Sequence, residues 1–146
     1  MLERFQGKEG RPALLNALRN QFLVDGNADI ADKIASGAQV KEFSPGTPIF
    51  SQGERGSDLC FLLAGKVSVR VDGEDVATVN AGMHVGEIGL LESFKGRSAT
   101  VVAMDTVVAA QVSQTRFTEI ARFHPDLWRR MAIELARRLV KSQARG

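Results

Sequence analysis

The chain has 146 residues, of which 44% are hydrophobic and 25% charged, and its formal net charge is +2. This length and composition describe one globular domain that can bury its own core, and they exclude a disordered or low-complexity chain. A net charge so close to balance does not by itself indicate nucleic-acid binding, which requires basic residues gathered on one face.

Two helices are predicted at the start of the chain, over residues 10–37. Apolar residues recur there at three- and four-residue spacing, and Pro12 stands where a first helical turn tolerates proline. The sequence Asp25-Gly26-Asn27 interrupts this pattern. A second, shorter helix is expected to follow it and to end with Gly37 as its C-cap.

The middle of the chain, residues 39–113, changes to the two-residue period of β-strands. Val67, Val69 and Val71 alternate with polar residues, and Asp72-Gly73 supplies the residue types that a tight hairpin turn requires. Further short apolar runs predict strands at 40–43, 48–51, 59–63, 76–79, 98–103 and 107–112. Many short strands separated by glycine-rich turns indicate an antiparallel β-roll or jelly-roll sandwich.

Two more helices are predicted to close the chain, over residues 115–144. In the second, apolar residues lie four apart, at Leu127, Met131, Leu135 and Leu139. Its other faces carry basic residues, which are expected to form a solvated face, although they can instead reach a ligand or a partner; these are Arg129, Arg130, Arg137, Arg138 and Lys141. The prediction is therefore an α+β fold, a single domain over residues 1–146 whose roll is flanked by helices at both ends.

One segment, residues 82–100, interrupts the strands and carries the chemistry. Its middle, residues 86–91, predicts a single helical turn whose first amides have no intrahelical partner. Gly86 and Gly89 leave these amides open to a ligand, which predicts an anion site for a phosphate.

Charged side chains complete this predicted site. Arg97 can place a forked guanidinium on two phosphate oxygens, and Ser98 can add a hydroxyl or a backbone N–H. Glu87 is unusual beside a phosphate, and a carboxylate there is explained if it accepts a hydrogen bond from a hydroxyl such as a ribose 2′-OH. The pattern thus describes a ribose joined to a phosphate.

This segment resembles the phosphate-binding cassette of cyclic-nucleotide-binding domains, found in catabolite-activator-type regulators and in cyclic-nucleotide-dependent kinases and channels. The residues that carry the resemblance are Gly86-Glu87-Ile88-Gly89-Leu90-Leu91 and Arg97-Ser98-Ala99-Thr100-Val101, with further matches upstream at residues 45–53, Asp58 and residues 62–69. The resemblance implies that Glu87 binds the ribose 2′-OH and Arg97 the cyclic phosphate. It also implies that the backbone around them contributes, at Gly86, Ile88, Gly89, Ser98 and Ala99.

Two departures from the family pattern leave the identity of the ligand's base open. Val85 stands in place of a common aromatic residue, and Gly89 in place of a usual alanine. Cyclic AMP, cyclic GMP and the cyclic pyrimidine nucleotides all remain admissible. Residues that are candidates to contact the base are Val69, His84, Val85, Thr100 and Trp128. His84 is otherwise expected to be a cavity wall or solvent-facing, and Trp128 to pack in the core or at a dimer contact.

No catalytic site is predicted, because the residues show no arrangement of nucleophile, base and orienting group. With only two histidines, His84 and His124, a metal site is not expected either, and no cofactor is predicted beyond the nucleotide ligand. The single cysteine, the lack of a signal peptide and the absence of a long apolar segment together predict a cytoplasmic protein that does not associate with membranes.

The ending of the chain resembles regulatory domains of bacterial effectors, in which a cyclic-nucleotide domain precedes a Toll/interleukin-receptor-type (TIR) NAD-cleaving domain, as in cyclic-pyrimidine (Pycsar) anti-phage systems. That resemblance implies cyclic CMP or cyclic UMP as ligand, a covalently linked output domain, and a response in which ligand repositions residues 115–146. A homodimer through the last helix is also expected, and direct nucleic-acid binding is not. Two alternatives are a cyclic AMP sensor of a transcription regulator without its DNA-binding part, and a degenerate roll that only dimerises.

Overall fold

The computed structural model describes residues 1–92 and 95–145. Ser93 and Phe94, which belong to the predicted cassette segment, and Gly146, the last residue of the predicted domain, lie outside the described residues. Within the described ranges, no helix is long and apolar enough to cross a membrane.

The N-terminal region forms a 3-10 helix, Leu2–Phe5, followed by helices α1 (Gly7–Arg19) and α2 (Ala28–Gly37). The prediction that the first helix starts near residue 10 with Pro12 in its first turn is wrong, because α1 begins at Gly7 and contains Pro12. Gly10 explains the earlier start: a Cβ there would lie 2.6 Å from the carbonyl carbon of Phe5, so only glycine lets α1 begin against the 3-10 helix.

The predicted C-cap at Gly37 is also wrong. Gly37 is the last residue of α2, and Ala38 caps the helix in an extended conformation. A Cβ on Gly37 would lie 2.7 Å from Nε of Arg116, whose Nη2 donates a 2.8 Å hydrogen bond to the carbonyl of Lys33. The glycine therefore makes room for an arginine that ties α2 to a later helix.

Eight strands follow in the described residues, in two antiparallel sheets. Their bounds are β1 Gln39–Phe43, β2 Pro48–Phe50, β3 Leu59–Ala64, β4 Lys66–Val71, β5 Glu74–Asn80, β6 His84–Val85, β7 Thr100–Ala103 and β8 Val107–Val112. The strand order is β1-β8-β3-β6 in one sheet and β2-β7-β4-β5 in the other. Together with the flanking helices, these sheets confirm the predicted α+β fold with an antiparallel jelly roll.

The central strand β3 is buried on both faces, which explains its uninterrupted apolar sequence. Leu59, Phe61 and Leu63 belong to a core shared with the helices. Cys60 and Leu62 point the other way, into a second core between the two sheets. Strand alternation thus lets one sheet supply two cores, and helices cover its outer face.

The predicted hairpin joins β4 to β5. Asp72 and Gly73 both have positive φ angles, 53° and 82°, as a type I′ turn requires. Val71 and Glu74 pair directly across the turn, so the hairpin has the register that a two-residue loop gives.

The remaining helices are α3 (Glu87–Leu91), α4 (Gln114–Phe123) and α5 (Asp126–Arg145). Leu127 and Met131 of α5 are buried, but Leu139 is 60% exposed. The reason is geometric: each four-residue step overshoots a helical turn by about 40°, so Leu139 is rotated by about 120° from Leu127. The buried face of α5 instead continues through Glu134, which is 5% exposed.

Candidate functional site

The cassette begins with a sharp turn at Gly86, the N-cap of α3. Gly86 has a φ of 99°, and a Cβ at this position would lie 2.7 Å from the carbonyl oxygen of Asp58. Both the backbone conformation and the lack of space therefore require glycine. This turn aims the first residue of α3, Glu87, at the space between the cassette and β4.

Gly89 has a role that the sequence did not indicate. A Cβ on Gly89 would lie 2.5 Å from Nη1 of Arg97, and a Cβ on Gly56 would lie 2.9 Å from the Nε of the same side chain. These glycines make room for the guanidinium itself, in addition to the predicted role of Gly89 in leaving backbone amides open to a ligand. The cassette is thus shaped around Arg97.

Arg97 is only 6% exposed, and its guanidinium lies over the ring of Phe50, 3.7 Å from the ring centroid. Its Nη2 donates to the carbonyl of Asp58 at 3.0 Å and its Nη1 to that of Gly86 at 3.4 Å. The Nε is buried without a hydrogen-bond partner. Burial lowers the pKa of Arg97, yet a guanidinium keeps its proton in proteins. Arg97 is therefore a partly desolvated positive charge with donor capacity to spare, which is what an anion site needs.

Glu87 is buried, with a side chain that is 5% exposed. Its Oε1 accepts a hydrogen bond from Nη1 of Arg138 on α5, while its Oε2 is buried with no partner. Arg138 also pairs with Glu134 of its own helix. The free oxygen of Glu87 can accept a hydrogen bond from a hydroxyl, as the sequence suggested.

Arg97 and Glu87 face one cavity of about 200 Å³. Its walls combine apolar side chains with these two charges and are formed by Phe50, Val69, Val71, Val85, Gly86, Glu87, Ile88, Gly89, Arg97, Ser98, Ala99, Val101 and Arg138. A larger groove of about 730 Å³ continues from Val69 and Arg138, which line both spaces. Such a space suits a compact ligand with an anionic group, a hydroxyl and a flat or apolar part.

Nine of the twelve candidate residues are brought together at this cavity. The structure places there all seven proposed ligand-binding residues and two of the candidate base contacts, namely Gly86, Glu87, Ile88, Gly89, Arg97, Ser98, Ala99, Val69 and Val85. The remaining three candidates, His84, Thr100 and Trp128, lie elsewhere.

His84 is neither a cavity wall nor solvent-facing: its side chain is fully buried beside Glu134, with 3.7 Å between Nε2 and Oε2. Because successive residues of a strand face opposite ways, Val85 points to the cavity and His84 to the helices. Burial lowers the pKa of His84 to about 4, so its ring is neutral near pH 7. Among the described residues, no group of three or more His, Cys, Asp or Glu side chains is arranged to hold a metal ion.

Thr100 and Trp128 do not line the cavity and contact other parts of the fold. The Thr100 hydroxyl accepts a 2.9 Å hydrogen bond from the backbone N–H of Gln52, outside the cavity. Trp128 packs edge-to-face on Phe117, with 5.1 Å between ring centroids, and remains 37% exposed. Its place in the first turn of α5 packs it against α4, and it is not among the residues that line the cavity.

Four cavity residues were not among the predicted site residues, namely the apolar Phe50, Val71 and Val101 and the charged Arg138. Phe50 gave no signal beyond its place in a short strand. Arg138 gave a weak one, since Met131, Glu134 and Arg138 have the three- and four-residue spacing that places side chains on one helix face. That face is the one that α5 turns to the cassette.

Comparison with known proteins identifies the family. Residues 40–123, more than half of the chain, match the family model of the cyclic nucleotide-binding domain. The chain belongs to this family. The match includes the cavity residues from Phe50 to Val101, so the family model covers the whole candidate site except Arg138.

Relatives of this cyclic-nucleotide-binding domain include two bacterial effectors. The Pycsar effector protein XpPycTIR of Xanthomonas perforans is 39% identical over 141 residues, 97% of this chain and 46% of the relative. PaPycTIR of Pseudomonas aeruginosa is 34% identical over 139 residues, 95% of this chain and 45% of that protein. The chain thus spans about half the length of the curated relatives it matches.

Among solved structures, the catabolite activator protein of Thermus thermophilus superimposes with a TM-score of 0.75 at 29% identity, over 86% of this chain and 61% of that protein. The cyclic-nucleotide-binding domain is therefore related both to Pycsar effectors and to catabolite-activator-type regulators.

Proposed function

We propose that the cavity binds a 3′,5′-cyclic nucleotide monophosphate, with the phosphate on Arg97 and the ribose 2′-OH on Glu87. The observation that carries this proposal is that two buried side chains with unused hydrogen-bonding capacity, Arg97 and Glu87, line one cavity. A buried polar group without a partner is costly, and a ligand that supplies both an anion and a hydroxyl offers a partner to each side chain.

The nucleobase extends from the ribose along the apolar wall. Val69 and Val85 line this side of the cavity, where an aromatic ring gains contact without a polar requirement. Backbone and side-chain groups of the cassette surround the phosphate at Gly86, Ile88, Gly89, Ser98 and Ala99. We propose cyclic CMP or cyclic UMP as ligand, because two relatives that match at least 95% of the chain are Pycsar effectors.

The domain itself acts as a non-catalytic sensor in this proposal. Binding at Arg97 changes the position of α4 and α5, and the change passes to a covalently linked output domain, a TIR NADase in anti-phage defence. The shared length with PycTIR proteins supports this, since the domain accounts for 46% of XpPycTIR and leaves room there for a second domain. Dimerisation through α5 and a cytoplasmic location complete the proposal.

A second candidate is a cyclic AMP sensor of a transcription regulator. The likeness to the catabolite activator protein favours it, at 29% identity and a TM-score of 0.75. Both candidates use the same phosphate and ribose contacts, and they differ in the base. A roll that only dimerises predicts no nucleotide binding.

Thermal unfolding of the purified chain with 3′,5′-cyclic AMP, GMP, CMP and UMP tests the proposal. A ligand at 100 times its dissociation constant stabilises the folded state by about 2.7 kcal/mol. At about 2–4 °C for each kcal/mol, the midpoint rises by several degrees. A rise with a pyrimidine nucleotide supports the effector function, and a rise with cyclic AMP alone supports the regulator.

Matched variants show whether the effect arises in this cavity. Arg97→Gln removes the buried charge, whereas Arg55→Gln removes the same charge from an exposed position of a neighbouring loop. The shift should vanish in the first variant and persist in the second. No shift with any of the four nucleotides, or a shift unaffected by Arg97→Gln, contradicts the proposal.

A further inference from the structure

Phe50 covers one face of the Arg97 guanidinium. The distance from the guanidinium carbon to the ring centroid is 3.7 Å, which is van der Waals contact. At this distance the cation lies over the face of the ring, because the ring hydrogens would hold it farther away at the edge. An aromatic face carries partial negative charge and attracts a cation, most strongly where water is excluded, and both side chains are only 6% exposed.

Uncharged groups stabilise the Arg97 guanidinium. Besides the ring, the carbonyl groups of Asp58 and Gly86 accept hydrogen bonds from it, at 3.0 and 3.4 Å. The N–H bonds of a guanidinium lie in its plane, so a ring on the face of that plane takes up none of its donors. A carboxylate in the place of the ring would also stabilise the cation, but it would compete with an incoming anion. The ring therefore stabilises a buried positive charge and leaves its hydrogen-bond donors to a phosphate.

A shift in strand pairing directs Phe50 to the cavity. In β2, Pro48 pairs with Val102 of β7. Phe50 lies two positions farther along β2 but pairs with Val101, only one position away in β7. One extra residue in β2, as in a β-bulge, reverses the side-chain alternation of the strand. Phe50 consequently shares the core between the two sheets with Val101, and both residues line the cavity.

We infer that Phe50 positions Arg97 for the phosphate, because its ring holds the guanidinium at the cavity through a cation–π contact. The inference rests on the proposed function, since the phosphate is the group that Arg97 is proposed to bind. A buried charge that loses this contact gains by turning toward water, so fewer molecules present the guanidinium to the cavity. The apparent affinity for an anion falls in proportion to that fraction. A cation–π contact with a desolvated guanidinium corresponds to a factor of about 5 to 30.

Calorimetric titration with the four cyclic nucleotides of the thermal panel tests this role. Phe50→Leu should bind about 5- to 30-fold more weakly than the wild type. Phe43→Leu is its matched control, because Phe43 packs against the same core between the sheets but is not among the residues that line the cavity. The control should bind as tightly as the wild type.

Fluorinated phenylalanine at position 50 separates the cation–π contact from packing. Fluorine withdraws electron density from the ring face, which weakens the attraction to a cation while the ring keeps its shape. Chains with one, two and three ring fluorines at this position should bind progressively more weakly, and this series decides the question if Phe50→Leu fails to fold. Unchanged or tighter binding by Phe50→Leu, an equal loss in Phe43→Leu, or a fluorine series of constant affinity overturns the positioning role and leaves the proposed function standing.

Nuclear magnetic resonance without nucleotide provides a readout that does not depend on binding. The Nε of Arg97 is buried, and its N–H signal is the one that Arg97→Gln lacks. The positioning role predicts that this proton exchanges with water faster in Phe50→Leu, and in the chain with three ring fluorines, than in Phe43→Leu, and equal rates overturn it. Faster exchange together with no binding of any of the four nucleotides by the wild type overturns the proposed function alone and supports Phe50 as the residue that holds Arg97.

Discussion

Substitution of Gly86 by alanine perturbs the turn on which the cassette depends. Gly86 has a φ of 99°, and a left-handed conformation costs a residue with a Cβ about 1–2 kcal/mol. The new Cβ would also lie 2.7 Å from the carbonyl oxygen of Asp58 and 3.0 Å from Cε2 of Phe50. Forcing an extra methyl group into such a space costs about 1–3 kcal/mol more. The expected loss in the free energy of unfolding is therefore about 2–5 kcal/mol.

Gly73→Ala is the matched control, because Gly73 has a φ of 82° and a Cβ at this position would meet nothing within 4 Å. It should cost only the conformational part, about 1–2 kcal/mol. Urea unfolding of both variants measures the difference, and an unchanged m-value shows that the same surface is exposed. Equal losses for the two variants would refute the argument that Asp58 and Phe50 leave no room at Gly86.

Two further predictions concern stability. Burial lowers the pKa of His84 to about 4, below its ordinary value of 6.5, so the unfolded chain binds this proton first and stability falls as the pH drops from 6.5 to 4. The loss in the free energy of unfolding that is due to His84 reaches about 3 kcal/mol at pH 4. Urea unfolding at pH 6.5 and at pH 4 should show this loss in the wild type and not in His84→Leu. Parallel pH profiles of the two proteins would contradict this assignment. Asn27 caps α2 by accepting a 2.9 Å hydrogen bond from the N–H of Ile30, so Asn27→Ala should cost about 1 kcal/mol and Asn27→Ser much less, whereas equal losses would exclude the cap.

The sequence predicted well those features that depend on neighbouring residues. The Asp72-Gly73 turn, with positive φ angles at both positions, follows from the residue types alone. The helical turn at Glu87–Leu91 follows from the cassette pattern. Strand β3 was visible as a continuous apolar run, and its two-sided burial in the structure explains why its sequence does not alternate with polar residues.

Features that depend on distant contacts were missed. Strand β6 has only two residues, His84 and Val85, and pairs with β3 more than twenty positions earlier, so no local period marks it. The direction of each side chain in β6 decides that Val85 reaches the cavity and His84 does not. This direction follows from the pairing of β6 with β3 and not from the residue type. Similarly, Arg138 was one of several basic residues on its helix, and its selection required the position of α5 against the cassette.

The regular four-residue spacing from Leu127 to Leu139 shows the limit of reading a helix face from sequence. The true period is 3.6 residues, so the stripe drifts and its last member faces solvent. The glycines of the cassette show another limit. Glycine at positions 86 and 89 indicates that another group lies close to the backbone there. Whether that group is a ligand or the Arg97 side chain depends on geometry that only the structure provides.

The central claim is that Arg97 and Glu87 together bind the phosphate and the 2′-OH of one cyclic nucleotide. Its most direct test is calorimetric titration of the wild type with the cyclic nucleotide selected by the thermal panel and with its 2′-deoxy form. A hydrogen bond to a charged group is worth about 1.5–3 kcal/mol, so the ribose form should bind about 10- to 100-fold more tightly. Equal affinities, or no binding of either form, would contradict the account.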